Sequence, residues 1–245
     1  LSAALFFGQT AVAEEKAAEE VKPSHVEMVL VLDESGSMSD LTRDTIGGFN
    51  SMIEKEKKLD VDAHVTTVLF NDQYKMLYNR RELKDVSKMT DKDYTPGGMT
   101  ALLDAVGRTI HKMDMVAGIH RKDKGNKVLF VIITDGEEND SKEYTYADVK
   151  KLIKDRQENA GWEFIFLGAN IDAAAAAENL GIDRDRAVKY KNTGSGVRAN
   201  FKAVAELSDS LAKSGRVSDR WKETVEKDED DAADKQSAAV TSHRR

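Results

Sequence analysis

The chain has 245 residues, 40% of them hydrophobic, enough to bury one sizeable α/β core with polar segments to spare. Its 44 acidic residues against 37 basic ones leave a formal charge of −7, and there is no long basic run, so no nucleic-acid partner is expected. The chain has no cysteine, which excludes disulfides, zinc–thiolate sites and cysteine nucleophiles.

Residues 1–13, "LSAALFFGQTAVA", are apolar and small and end in Ala11-Val12-Ala13 before the acidic "EEKAAEE". That order suits the remnant of a signal peptide with its A-x-A cleavage site, and implies export to a periplasmic or extracellular space. The alternative is a cytoplasmic chain with an irregular N-terminus. No run reaches the ~18 apolar residues of a transmembrane segment. Residues 14–24 are rich in Glu, Lys and Ala and are expected to form a polar linker. Residues 25–215 are expected to form one folded domain. The segment 216–245 is highly charged, lacks apolar periodicity and is expected to be a disordered tail.

Within the domain, 26–32, 128–133 and 162–167 are almost continuously apolar and predict buried strands. The β-branched run 63–70 predicts a fourth, and only "NDQ" separates it from a fifth over 74–78, so these two should pair as an antiparallel hairpin. Helical spacing recurs between the strands. Ile46, Phe49 and Ile53 share one face over about 40–58. Leu103, Val106, Ile110, Met113 and Ala117 make the longest stripe. Val149, Leu152 and Ile153 make a shorter one, and Val197, Phe201, Val204 and Leu211 another. The alanine run 173–177 predicts a further helix. Strand–helix alternation implies crossover connections and a mostly parallel sheet covered on both faces, with its binding crevice at the carboxyl ends of the strands.

Three polar loops fall on that edge. "DESGS" ends the first strand with Asp33, Ser35 and Ser37. "TPGGMTALL" brings Thr100 to the start of a helix. "TDG" places Asp135 directly after "VLFVII". Each has a plain structural reading as a turn or a helix cap. Together they offer only oxygen, the donor set of a hard divalent cation, of which Mg²⁺ takes about six at ~2.0–2.1 Å; Mn²⁺ or Ca²⁺ are alternatives. Two carboxylates would just neutralise such an ion. With one of them acting through water, the ion retains an appetite for an outside anionic oxygen, such as an Asp or Glu side chain of a partner protein.

This pattern, D-x-S-x-S, a distant Thr in a Gly-rich loop, and T-D-G after an apolar strand, resembles the von Willebrand factor type A domain with its metal ion-dependent adhesion site. The resemblance covers about residues 24–213, and "FIFLGANIDAAAAAENLGI" looks like the bacterial branch. It implies a doubly wound, Rossmann-like α/β fold with one antiparallel edge strand and helices on both faces. It also implies Asp33, Ser35, Ser37, Thr100 and Asp135 as the metal site. In the family the hydroxyls bind the metal directly or nearly so, and at least one aspartate acts through water.

Other constellations are weaker. "DKDYTPGG" alternates Asp91, Asp93 and Thr95 but lacks the Gly and the Glu of an EF-hand loop. Glu137, Glu138 and Asp140 read as solvated surface. The five histidines show no H-x-x-x-H spacing and read as surface or packing residues. Nucleophile-elbow, H-E-x-x-H, Walker and Rossmann-fingerprint motifs are missing, so no catalytic residue is assigned and the expectation is a non-enzymatic, metal-dependent binding module. The alternatives are a Mg²⁺/Mn²⁺-dependent hydrolase or a scaffold whose metal is purely structural. The oligomeric state is not encoded in these patterns.

Overall fold

The apolar runs become the middle of a six-stranded sheet in the order β3-β2-β1-β4-β5-β6. In the computed structural model the described residues are 25–59, 61–116, 126–218 and 220–228. The proposed leader, 1–13, and linker, 14–24, lie outside them, as does the tail from 229 onward. The strands are β1 His25–Asp33, β2 Ala63–Phe70, β3 Tyr74–Glu82, β4 Asn126–Thr134, β5 Glu163–Gly168 and β6 Ala187–Lys189. All neighbours pair in parallel except β2 with β3, the expected hairpin at one edge. The helices are α1 Thr42–Lys58, α2 Leu102–Asp114, α3 Tyr146–Asp155, α4 Ala173–Leu180 and α5 Gly194–Ser214. Among the described residues no helix is long and apolar enough to cross a membrane.

Because successive strand residues face opposite ways, β1 feeds two cores at once. Met28, Leu30 and Leu32 pack with Phe49 and Ile53 of α1 and Phe201 and Val204 of α5. Val29 and Val31 pack with Val106 and Ile110 of α2, Phe130 and Ile132 of β4, and Val149 and Ile153 of α3. A strand buried on both faces must be apolar at every position, which is why 26–32 shows no alternation.

Helix ends are fixed locally where the sequence offers a cap. Thr145 and Asp148 close a reciprocal capping box on α3, and the side chains of Asp172 and Thr193 accept from the first turns of α4 and α5. Helices α1 and α5 meet across Gly48. A Cβ built there would lie 2.5 Å from the ring of Phe201, itself edge-on to Phe49. Gly48→Ala should therefore cost about 1–3 kcal/mol, the price of overpacking. Urea unfolding should show a lower midpoint with an unchanged slope.

One expectation needs correcting, and one element is new. The fold does not end at 215: Val217, Trp221 and Val225 are buried against the α1/α5 core, and the Trp221 indole donates to the Asp185 carbonyl at 3.2 Å. Their i, i+4, i+8 spacing is a short helical stripe, too brief among so many charges to stand out, and packing decides the matter. The three-residue β6 is also absent from the expected elements, being too short to show a strand pattern.

Candidate metal centre

The chain runs β1, β2, β3 outward in one direction, then returns to lay β4 on the other side of β1. The β1/β4 junction is the switch point where crevices form at the carboxyl ends of strands. Asp33 is the last residue of β1, and Asp135 follows Thr134, the last of β4. The folding topology alone thus brings together two carboxylates about a hundred residues apart.

Hydrogen bonds order the cluster. Asp33 Oδ1 accepts from the Ser35 N–H at 2.7 Å, and its Oδ2 from the Thr134 hydroxyl at 2.6 Å. The Ser37 hydroxyl donates to Asp135 Oδ1 at 2.5 Å and lies 3.2 Å from the Ser35 hydroxyl. Asp33, Ser35, Thr100 and Asp135 are buried, while Ser37 is exposed. Burial pushes the Asp33 carboxyl above its ordinary value. The Ser35 and Thr134 hydroxyls oppose this and the charge of Asp135 adds to it.

Thr100 is tied through its backbone to the loop that follows Asp135. Its N–H donates to Asn139 Oδ1 at 2.8 Å and its carbonyl accepts the Asn139 N–H at 3.0 Å. A Cβ on Gly136 would come within 3.8 Å of the Thr100 hydroxyl. The capping role open to Thr100 is taken elsewhere. Ala101 is the N-cap of α2 and makes no side-chain cap. The free N–H groups of Leu103 and Asp104 donate instead to Glu138 Oε2 at 3.0 Å and Ser141 Oγ at 3.1 Å. Glu138 is therefore a tertiary clasp on the helix, not solvated surface. It also accepts from the N–H groups of Asp140 and Ser141.

The Gly-rich loop is held against β1 by its backbone: the Gly36 N–H donates to the Gly98 carbonyl at 3.2 Å and the Gly97 N–H to the Glu34 carbonyl at 2.9 Å. Gly98 has φ +75, and a Cβ there would overlap the Asp72 carboxylate, so this turn demands glycine. The Asp91–Thr95 stretch is a turn, with Asp93 Oδ2 accepting from Thr90 N and Oγ1. Thr95 clasps the buried Glu34 carboxylate through its backbone N–H.

Several supporting residues carry no sequence signal. Tyr94 donates to the Asp33 carbonyl at 2.6 Å and Tyr190 to the Thr134 carbonyl at 3.3 Å. Asn192 reaches Asp135 Oδ2 at 3.4 Å, and Asn170 donates to the Asp135 carbonyl at 3.3 Å. Only the T-D-G motif hinted that Thr134 would serve the site.

The donor chemistry fits a hard divalent cation. Two buried carboxylates and the Ser35 and Ser37 hydroxyls meet here, the Thr100 hydroxyl lies across from Gly136, and the charge of Asp135 disfavours ionised Asp33, a repulsion that a cation relieves.

A sequence profile of the vWA-TerF-like family, described as the vWA found in the TerF C terminus, matches residues 25–184. This chain therefore belongs to the von Willebrand factor type A family. Among solved structures it is similar to the vWF domain of the type V pili tip protein Mfa5 from Porphyromonas gingivalis, at 12% identity and TM-score 0.57, covering 80% of this chain and 99% of that one. It is also similar to the pilus adhesin SpaC from Lactobacillus rhamnosus GG, at 14% identity and TM-score 0.59, covering 79% of this chain and 31% of that one. Proximal thread matrix protein 1 from the mussel byssus matches at 15% identity and TM-score 0.51, covering 76% of this chain. The chain spans 46% of that mussel protein's length. A comparison with curated proteins found no match.

Proposed function

We propose that the protein is a non-catalytic, metal-dependent protein-binding module in which Asp33, Ser35, Ser37, Thr100 and Asp135 hold Mg²⁺. Bound there, the cation supplies a positive centre with a coordination position open to an Asp or Glu carboxylate of a partner protein. The observation that carries this reading is the hydrogen-bonded cluster of Asp33, Ser35, Ser37 and Asp135 at the switch point, with two buried carboxylates close enough for one charge to act on the other and the Thr100 hydroxyl on the facing loop not used as a helix cap. Asp33 is fixed by Ser35 and Thr134, and Asp135 by Ser37 and Asn192, so the donors are oriented before any ligand arrives. Next to Thr100, Met99 stands 51% exposed on the same loop and offers apolar contact to a docking partner.

We further propose that the protein acts outside the cytoplasm. The leader-like order of residues 1–13 supports this, and two of its structural relatives are a pili tip protein and a pilus adhesin.

The test is affinity capture in millimolar Mg²⁺ and again with a chelator, with wild type and Thr100→Ala, read by mass spectrometry. Wild type in Mg²⁺ should retain partners that the chelator releases and that Thr100→Ala never captures. An identical captured set under all conditions would refute metal bridging.

A further inference from the structure

At the opposite, amino-terminal edge of the same sheet lies a second constellation that the binding site does not use. His25 and Glu27 are two apart on β1 and so share a face, and His64 is the register partner of Glu27 on β2. From these three residues we infer a second metal site, selective for a borderline transition cation of the Zn²⁺ class, with His25 Nε2, Glu27 Oε1 and His64 Nδ1 as ligands.

The spacing fits. Tetrahedral coordination with bonds of ~2.0–2.1 Å to nitrogen and oxygen sets neighbouring donors about 3.3–3.4 Å apart. Here Nε2 to Oε1 is 3.3 Å, His64 Nδ1 to Oε1 is 3.4 Å, and the two ring nitrogens are 2.9 Å apart. Three protein ligands leave a fourth position, and both imidazoles are partly exposed, so water can reach it.

The outer partners are in place. Asp62 Oδ1 lies 3.0 Å from His25 Nδ1, the carboxylate–imidazole pairing that puts the proton on Nδ1 and turns the Nε2 lone pair toward the cluster. Arg80 Nη2 lies 3.4 Å from His64 Nδ1, and as an obligate donor it favours the tautomer with that nitrogen unprotonated, the form a metal takes; ligation would replace this long contact. The two ring nitrogens lie 2.9 Å apart beside a carboxylate that is 2% exposed, close enough for one cation to bind all three donors in place of the hydrogen bonds that join them without metal. Arg80 also binds both oxygens of Glu27, fixing its orientation. To do so it sits at a break in the β2/β3 register with φ +45, a strained conformation for a residue with a side chain. Two imidazoles favour Zn²⁺ over Mg²⁺, which prefers oxygen.

The test is Zn²⁺ titration against a chromophoric chelator in millimolar Mg²⁺, which occupies oxygen sites. Co²⁺ titration in parallel reads geometry from its visible absorption. Wild type should take up one equivalent of Zn²⁺ and show the intense bands of low-coordinate Co²⁺. His64→Ala, at a part-exposed position, should weaken binding by more than the 10–100-fold that loss of an outer partner costs, and Asp62→Asn should fall within that range. His25→Gln is the second ligand variant should His64→Ala fail to fold. Absence of saturable Zn²⁺ binding in wild type would overturn the assignment. So would binding that survives in the folded ligand variant, because it would then reside on other histidines.

Discussion

Asp33→Asn should separate stability from metal binding. Without divalent cations the variant is expected to melt at or above the wild-type temperature; in millimolar Mg²⁺ wild type should overtake it. Asp33 is 1% exposed, its carboxyl is pushed up by burial, and the Asp135 charge adds to that push. Asparagine keeps an acceptor for the Ser35 N–H and removes one of two buried like charges, at the cost of the bond from the Thr134 hydroxyl. A ligand that binds only the native state adds about 2.7 kcal/mol at a hundred times its dissociation constant. For a domain of this size that is about 5–10 °C in Tm. The variant lacks an anionic ligand and should show almost none of this gain. Differential scanning calorimetry with and without Mg²⁺ measures both effects. A wild-type Tm indifferent to Mg²⁺, or an equal rise in the variant, would place the ion elsewhere or nowhere.

Three of the candidate residues stood out in the sequence because they sit at element boundaries: Asp33 where an apolar strand stops, Asp135 just after another, Thr100 just before the longest helical stripe. Strands buried on both faces leave few options for topology, so the ends of β1 and β4 had to meet. The supporting residues were not legible. Nothing local tells Tyr94 from any other loop tyrosine, yet its hydroxyl reaches the Asp33 carbonyl. Glu138 reads as one acid among several, and its role as a clasp on α2 depends on where the β4 loop lands. The His25–Glu27–His64 group shows the same limit from another direction. H-x-x-x-H spacing is a helical criterion, whereas a sheet joins residues through strand register, and His64 meets Glu27 only once β1 and β2 pair. The burial of Trp221 likewise depends on a surface made by distant elements.

The second large effect is expected at Glu56, on the face of α1 that packs against α5. It is fully buried, and neither carboxyl oxygen has a hydrogen-bond partner. Ser208 and Asn200 of α5 bring buried polar atoms without partners to the same helix pair. Burial pushes the Glu56 carboxyl up to about 7 from an ordinary 4.5; the nearby Ser208 hydroxyl, although outside good hydrogen-bond geometry, opposes this, Asp209 adds to it, and Lys55 and Lys213 oppose it. A carboxyl raised in the folded state is held as the neutral acid, so its contribution to stability is complete below pH 4.5. It is lost as the pH climbs through 7, because the unfolded chain gives up that proton earlier. The displacement amounts to about 3 kcal/mol across that interval. Glu56→Gln keeps the shape and removes the titration. At pH 8 the variant should be more stable than wild type by about 1–3 kcal/mol, some of the gain being offset by a buried amide without partners. At pH 4.5 the difference should vanish or reverse. Urea unfolding of both proteins from pH 4.5 to 8 measures the divergence, and parallel pH profiles would mean that Glu56 is ionised and solvated in the native state.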